Sequence, residues 1–134
     1  MFTSVSSRSA TAYQRVSVET SVSGASPYQL VNLLFQGLLR HVGAARVSLA
    51  RGDLAAKGEH ITKAVRIIDE ALKPALNSEA GGDIAANLSG LYGYCSLRLT
   101  QANLLNDEAA LRDVLRVIEP LADGWKGIGE KVGN

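Results

Sequence analysis

Apolar residues recur at the helical period in four stretches of this chain, and in two of them the charges that should solvate the far side are missing. From Ile84 to Asn106, twenty-three residues carry one charge, Arg98, and from Thr20 to Leu39 there is none. A helix with no charged face is not expected to meet water on any face, so something must cover it. Two such helices in a small protein point to a surface kept for a partner.

The first start signal is Ser26-Pro27-Tyr28-Gln29. Serine is an N-cap, proline takes the N1 position that needs no donor, and glutamine completes a capping box. Leu30, Leu34, Leu38, Val42, Ala45 and Leu49 then keep one stripe, widened by Val31, Phe35 and Leu39. This predicts a rod of roughly 24 residues and about 36 Å. Gly52 supplies a left-handed stop and Asp53 the next N-cap, a connection short enough to force an antiparallel hairpin. The second helix carries Leu54, Ile61, Val65, Ile68, Leu72 and Leu76 inward and Lys57, Glu59, Lys63, Arg66, Asp69 and Lys73 outward, and Pro74 ends or kinks it near Leu72.

Asn77 to Gly82 reads as a turn and Asp83 as the cap of a third helix, with Ile84, Leu88, Leu91, Tyr92, Cys95, Leu99 and Ala102 as its core stripe. The opposite side, Ala86, Gly90, Gly93, Leu97, Gln101 and Leu104, is small or neutral where a solvated helix would show Lys and Glu. Two interior glycines cost about 1 kcal/mol each relative to alanine, a loss that close approach of another backbone would offset. Asn106 or Asp107 caps a fourth helix, in which Leu111, Ile118, Trp125 and Val132 repeat, joined by Val114, Leu115, Leu121 and Ile128, with a kink expected at Pro120. The expected architecture is all-α: an antiparallel up-down four-helix bundle over residues 26–134. Before it, residues 1–25 hold seven Ser and three Thr and read as a mobile arm, with a possible short extra helix near Ser9 to Gln14.

With 134 residues the chain is long enough to bury a core without staples. Fourteen Lys and Arg against thirteen Asp and Glu leave +1, spread along the helices, which argues against nucleic acid and against an anionic membrane surface. A single cysteine excludes an internal disulfide, and no signal-peptide core or membrane span is legible, so a soluble cytosolic protein is expected. His41 and His60 have no third ligand at metal spacing, and Cys95 sits on an apolar stripe without an activating base. The glycines from 124 to 129 follow no strand, so they make no phosphate cradle. No cofactor, metal or catalytic constellation is implied.

The motifs taken together resemble the FliS family of flagellin-specific export chaperones. They run in order from Ala12-Tyr13 with Val16 and Val18, through Ala25-Ser26-Pro27-Tyr28-Gln29-Leu30, to Gly52-Asp53 with Lys57-Gly58 and Lys63-Ala64 through Ile67-Ile68. Gly81-Gly82 before Ile84, Asn87-Leu88, Leu91-Tyr92, Tyr94, Arg98-Leu99, Ala102-Asn103 and Trp125 complete the pattern. Pro120 and the glycines at 124, 127 and 129 depart from it, because they make the end of the last helix less regular than the family's.

The resemblance implies a cytoplasmic bacterial chaperone without enzymatic activity. Its client is the disordered C-terminal segment of flagellin, which folds into helices against hydrophobic grooves, is kept from premature polymerisation, and is delivered to the flagellar type III export apparatus. Implied partners are that segment, the cytoplasmic domain of a membrane export-gate protein, and an anti-sigma factor as a further one. Val31, Phe35, Asn87, Gly90, Tyr94, Leu97, Gln101 and Leu104 are the residues expected to meet flagellin, with Tyr13, Val16 and Val18 as a groove cover or export-gate docking point. Tyr92 and Tyr94 lie on different faces, so one is expected in the core and the other at a groove. Asn87 and Asn103 read either as surface amides or as partners for a wrapping backbone. Arg98 is expected to pair with an acid of the second or fourth helix, or to anchor the client. Free, the protein is expected to be a monomer or weak dimer; the alternative is a self-associating structural or regulatory bundle with no client, its neutral third helix covered by a copy of itself.

Overall fold

The computed structural model describes residues 26–76 and 78–131. The expected arm, its turn near Ser9 to Gln14, and Tyr13, Val16 and Val18 lie outside the described residues, as does Val132. Four helices follow one another: α1 Pro27–Ala50, α2 Leu54–Arg66 running on into a π-helical stretch Ile67–Leu72, α3 Ser78–Leu105 and α4 Glu108–Lys131. Among the described residues there is no strand.

The signals at both ends of α1 act locally, and the structure places them where the sequence does. Ser26 Oγ accepts from the Gln29 amide at 3.1 Å and Gln29 Oε1 accepts from the Ser26 amide at 3.0 Å, a closed capping box. Gly52 takes φ +75° to turn the chain, and Asp53 Oδ1 accepts from the Ala56 amide at 3.1 Å to start α2. The connections are short and the tie points run in opposite directions. Tyr28 meets Trp125 while Arg46 meets Glu108, so α1 and α4 are antiparallel. Lys57 meets Asn103 while Asp69 meets Ser96, which sets α2 against α3 in the same way. Each helix packs on its sequence neighbour and α4 closes back on α1.

Several expectations change. The end of α2 widens to π register, with the Lys73 amide donating to the Ile68 carbonyl at 2.9 Å. The wider turn buries Ile67 and Ala71 beside Ile68 and Leu72, while Leu54, expected in the core, is half exposed. The turn expected over Asn77 to Gly82 is largely helical: α3 begins at Ser78 and breaks only at Gly82, whose φ 53° and ψ −125° suit a residue without Cβ. Beyond that break Ile84 and Leu91 are exposed and Ala85 takes the buried position, so the fully buried stripe of α3 is Ala85, Tyr92, Cys95, Leu99 and Ala102. In α4, Leu111, Val114 and Ile118 are buried, but Ile128 is 52% exposed.

Lys57 was expected in solvent, yet it is buried under the end of α3. Its Nζ donates to the Asn103 carbonyl at 2.9 Å and to Asn106 Oδ1 at 2.6 Å. Those acceptors sit at a helix C-terminus, where unpaired carbonyls carry partial negative charge, and Asn106 itself closes the helix at φ +52°. Lys57→Met keeps the aliphatic stem and removes the donor. It is expected to destabilise the fold by about 1–3 kcal/mol in urea unfolding, the cost of leaving those acceptors unpaired.

Candidate functional site

At the end of the bundle where α1 starts and α4 finishes, the helices fail to close over one another and leave an apolar cleft of about 570 Å³. Val31 and Phe35 of α1 form one wall, and Leu72 with Leu76 continues it past α2. Ile84, Leu88 and Tyr92 of α3 face Leu121, Trp125 and Ile128 of α4 across it. No lining residue is charged. Pro120 and Gly124 of α4 line this end, and the lining residues Ala75 and Gly81 stand next in sequence to Pro74 and to the non-helical Gly82. Their irregular turns cannot interdigitate as the middle of the bundle does.

The sequence-predicted residues fall on two surfaces. Val31 and Phe35 line the cleft, Phe35 from a largely buried position. Asn87, Gly90, Tyr94, Leu97, Gln101 and Leu104 lie apart from it along the outer side of α3. There Leu97 is 56% and Leu104 80% exposed, and a Cβ on Gly90 would meet open space. Leu72, Leu76, Leu88, Leu121 and Trp125 were assigned to the core by their spacing; they are partly or wholly buried and line the cleft as well. The proline and glycine positions near them were the available signal.

The tyrosine question is answered by burial. Tyr92 is 3% exposed and its hydroxyl is pushed up to about 12 by that burial. Tyr94 is exposed and donates to Asp113 of α4, a bond that raises its own pKa and lowers that of the aspartate. Arg98 completes the group: its Nε lies 3.0 Å from Asp113 Oδ2 and its Nη1 donates to Gln101 at 2.9 Å. The single charge of the neutral stretch therefore pairs with an acid of the fourth helix. Its cluster pins α3 to α4 and leaves the leucines outside it uncovered.

The other reactive side chains are Cys95, His41 and His60. Cys95 is fully buried, and desolvation raises its thiol to about 11, so little thiolate forms near neutrality. His41 and His60 meet across α1 and α2 with Nδ1 atoms 3.0 Å apart. Among the described residues no group of three or more His, Cys, Asp or Glu is placed to hold a metal ion. No described helix is long and apolar enough to cross a membrane.

Residues 9–132 match the family described as "Flagellar protein FliS". The chain is 48% identical over 120 residues to the flagellar secretion chaperone FliS of Salmonella typhimurium, covering 90% of this chain and 89% of that one. It is 43% identical over 116 residues to the flagellar secretion chaperone FliSB of Pseudomonas aeruginosa, covering 87% and 91%. To the flagellar secretion chaperone FliS of Bacillus subtilis it is 34% identical over 116 residues, covering 87% and 82%.

Proposed function

This chain belongs to the FliS family, and from that premise we propose that it is a cytoplasmic flagellar secretion chaperone that holds the C-terminal segment of flagellin until export. The observation that carries the reading is the uncharged cleft between α1, α3 and α4, whose walls are aliphatic and aromatic throughout. An amphipathic client helix needs such a groove on one side of the bundle, and a second apolar track to hold the next turns. The outer leucines of α3 supply that track. A disordered segment must order as it binds, so it needs several apolar anchors to offset the lost entropy. Delivery to the export apparatus is the part of the proposal that the family relationship supports.

Leu97 and Leu104 stand far enough into solvent that aspartate there leaves the bundle folded. If both anchor the client, each loses up to about 1.5–3 kcal/mol of burial when replaced, so affinity for the flagellin segment is expected to fall about tenfold or more per site. Calorimetric titration of Leu97→Asp, Leu104→Asp and the cleft variant Ile84→Asp checks this. Unchanged affinity in all three would remove both surfaces from the client's path.

A further inference from the structure

We infer that α4 beyond Pro120 is a flap over the apolar cleft, held shut by a clasp between Tyr28 and Trp125 and able to open as a unit while the rest of the bundle stays folded. The flap belongs to the free protein, whatever occupies the cleft.

The hinge is chemical. Pro120 stands inside α4 without an amide hydrogen, so the carbonyl one turn before it has no helical donor and the ladder is interrupted there. Past the break come Gly124 and Gly127. A Cβ at either would meet open space, so neither is required by close packing, and both weaken the helix. Packing beyond Pro120 is thin: Ala122 is buried, Leu121 and Trp125 are partly so, and Ile128 is half exposed. No ion pair between described residues ties positions 121–128 to another helix.

Against this weakness the clasp is specific. The Tyr28 and Trp125 rings stack with centroids 5.1 Å apart and planes within 9°. The two residues also exchange hydrogen bonds: Trp125 Nε1 donates to the Tyr28 carbonyl at 3.0 Å, and the Tyr28 hydroxyl donates to the Trp125 carbonyl. Stack and bonds all join the first turn of α1 to the flap at Trp125, which itself lines the cleft. Leu121, Trp125 and Ile128 are one wall of that cleft, so releasing the clasp moves the wall.

Native-state hydrogen exchange on the full chain tests the device. The amides of 122–131 are expected to exchange together, about a hundredfold or more faster than those of 34–45 in α1. Tyr28→Ala should speed that block about tenfold or more and leave 34–45 unchanged, since it removes a stack and a hydrogen bond that only the closed flap makes. Pro120→Ala with Gly124→Ala restores a helical donor and helix propensity at exposed positions, and should slow the block about tenfold. Exchange rising residue by residue toward Lys131 would be end fraying and would overturn the flap, as would protection equal to that of 34–45. Equal acceleration of every helix by Tyr28→Ala would make the pair ordinary core. Should that variant fail to fold, the Pro120→Ala, Gly124→Ala protein decides, and unchanged exchange over 122–131 sinks the idea.

Discussion

An aspartate at position 68 is expected to abolish the cooperative thermal transition of this protein, while an aspartate at position 104 leaves it within a few degrees of the parent. Ile68 has no exposed surface and sits in the π-helical stretch where α2 packs against the core. Removing the branched side chain costs about 2–5 kcal/mol, and an unpaired carboxylate there adds several more or stays protonated. Total stability of a domain this size is about 5–15 kcal/mol, so the sum reaches the whole of it. Leu104 is 80% exposed and its replacement changes only solvated surface. Circular dichroism melts of both variants give the answer directly. Equal loss in the two proteins would mean that the outer side of α3 is covered in the free protein, as a self-associating bundle requires.

Acid is expected to weaken the fold through His41. Burial, reinforced by the cations Arg40 and Lys63 and by His60, lowers its pKa from 6.5 to about 4. The folded state therefore holds fewer protons than the unfolded chain between those values, and stability rises with pH across that window. It is fully present above pH 6.5 and is lost as pH falls, by about 1 kcal/mol at pH 5.5 and about 3 kcal/mol near pH 4. The contact with His60 adds to the effect of burial. Two ring nitrogens 3.0 Å apart can share one proton but not carry one each, and His41 Nε2 is buried without a partner. Urea unfolding at pH 7, 5.5 and 4.5 should show this slope, and His41→Gln should flatten it. The paired carboxyl of Asp113 acts in a separate window, since its lowered pKa contributes stability above 3.8 that is lost only at lower pH. A slope that His41→Gln leaves intact would assign the acid sensitivity to other groups.

What was legible in the sequence is what short-range chemistry decides. Ser26, Pro27 and Gln29 determine where α1 begins without reference to any other helix, and Gly52 with Asp53 determines the hairpin. The periodicity of Leu34, Leu38 and Val42, or of Leu111, Val114 and Ile118, needs only one helix to be read. Lys57 was misread because its partners come from the end of another helix, so its burial depends on packing that no local pattern encodes. Ile84 and Leu91 were misread too: Ile84 follows the non-helical Gly82, and Leu91 stands beside Tyr92, which takes the buried place. A period gives the stripe but not which neighbour covers it. The cleft itself was invisible for the same reason, since apolar residues of four helices have to meet in space before they become a groove.

The proposal that these surfaces receive flagellin stands on one measurement before any other. Titration calorimetry of the full chain with the C-terminal segment of flagellin from the same cell, followed by circular dichroism of the same samples, is expected to give tight 1:1 binding and a gain of helix. A protein that is already a dimer and neither binds the segment nor adds helix with it would contradict the account and leave a bundle that covers its own apolar surface.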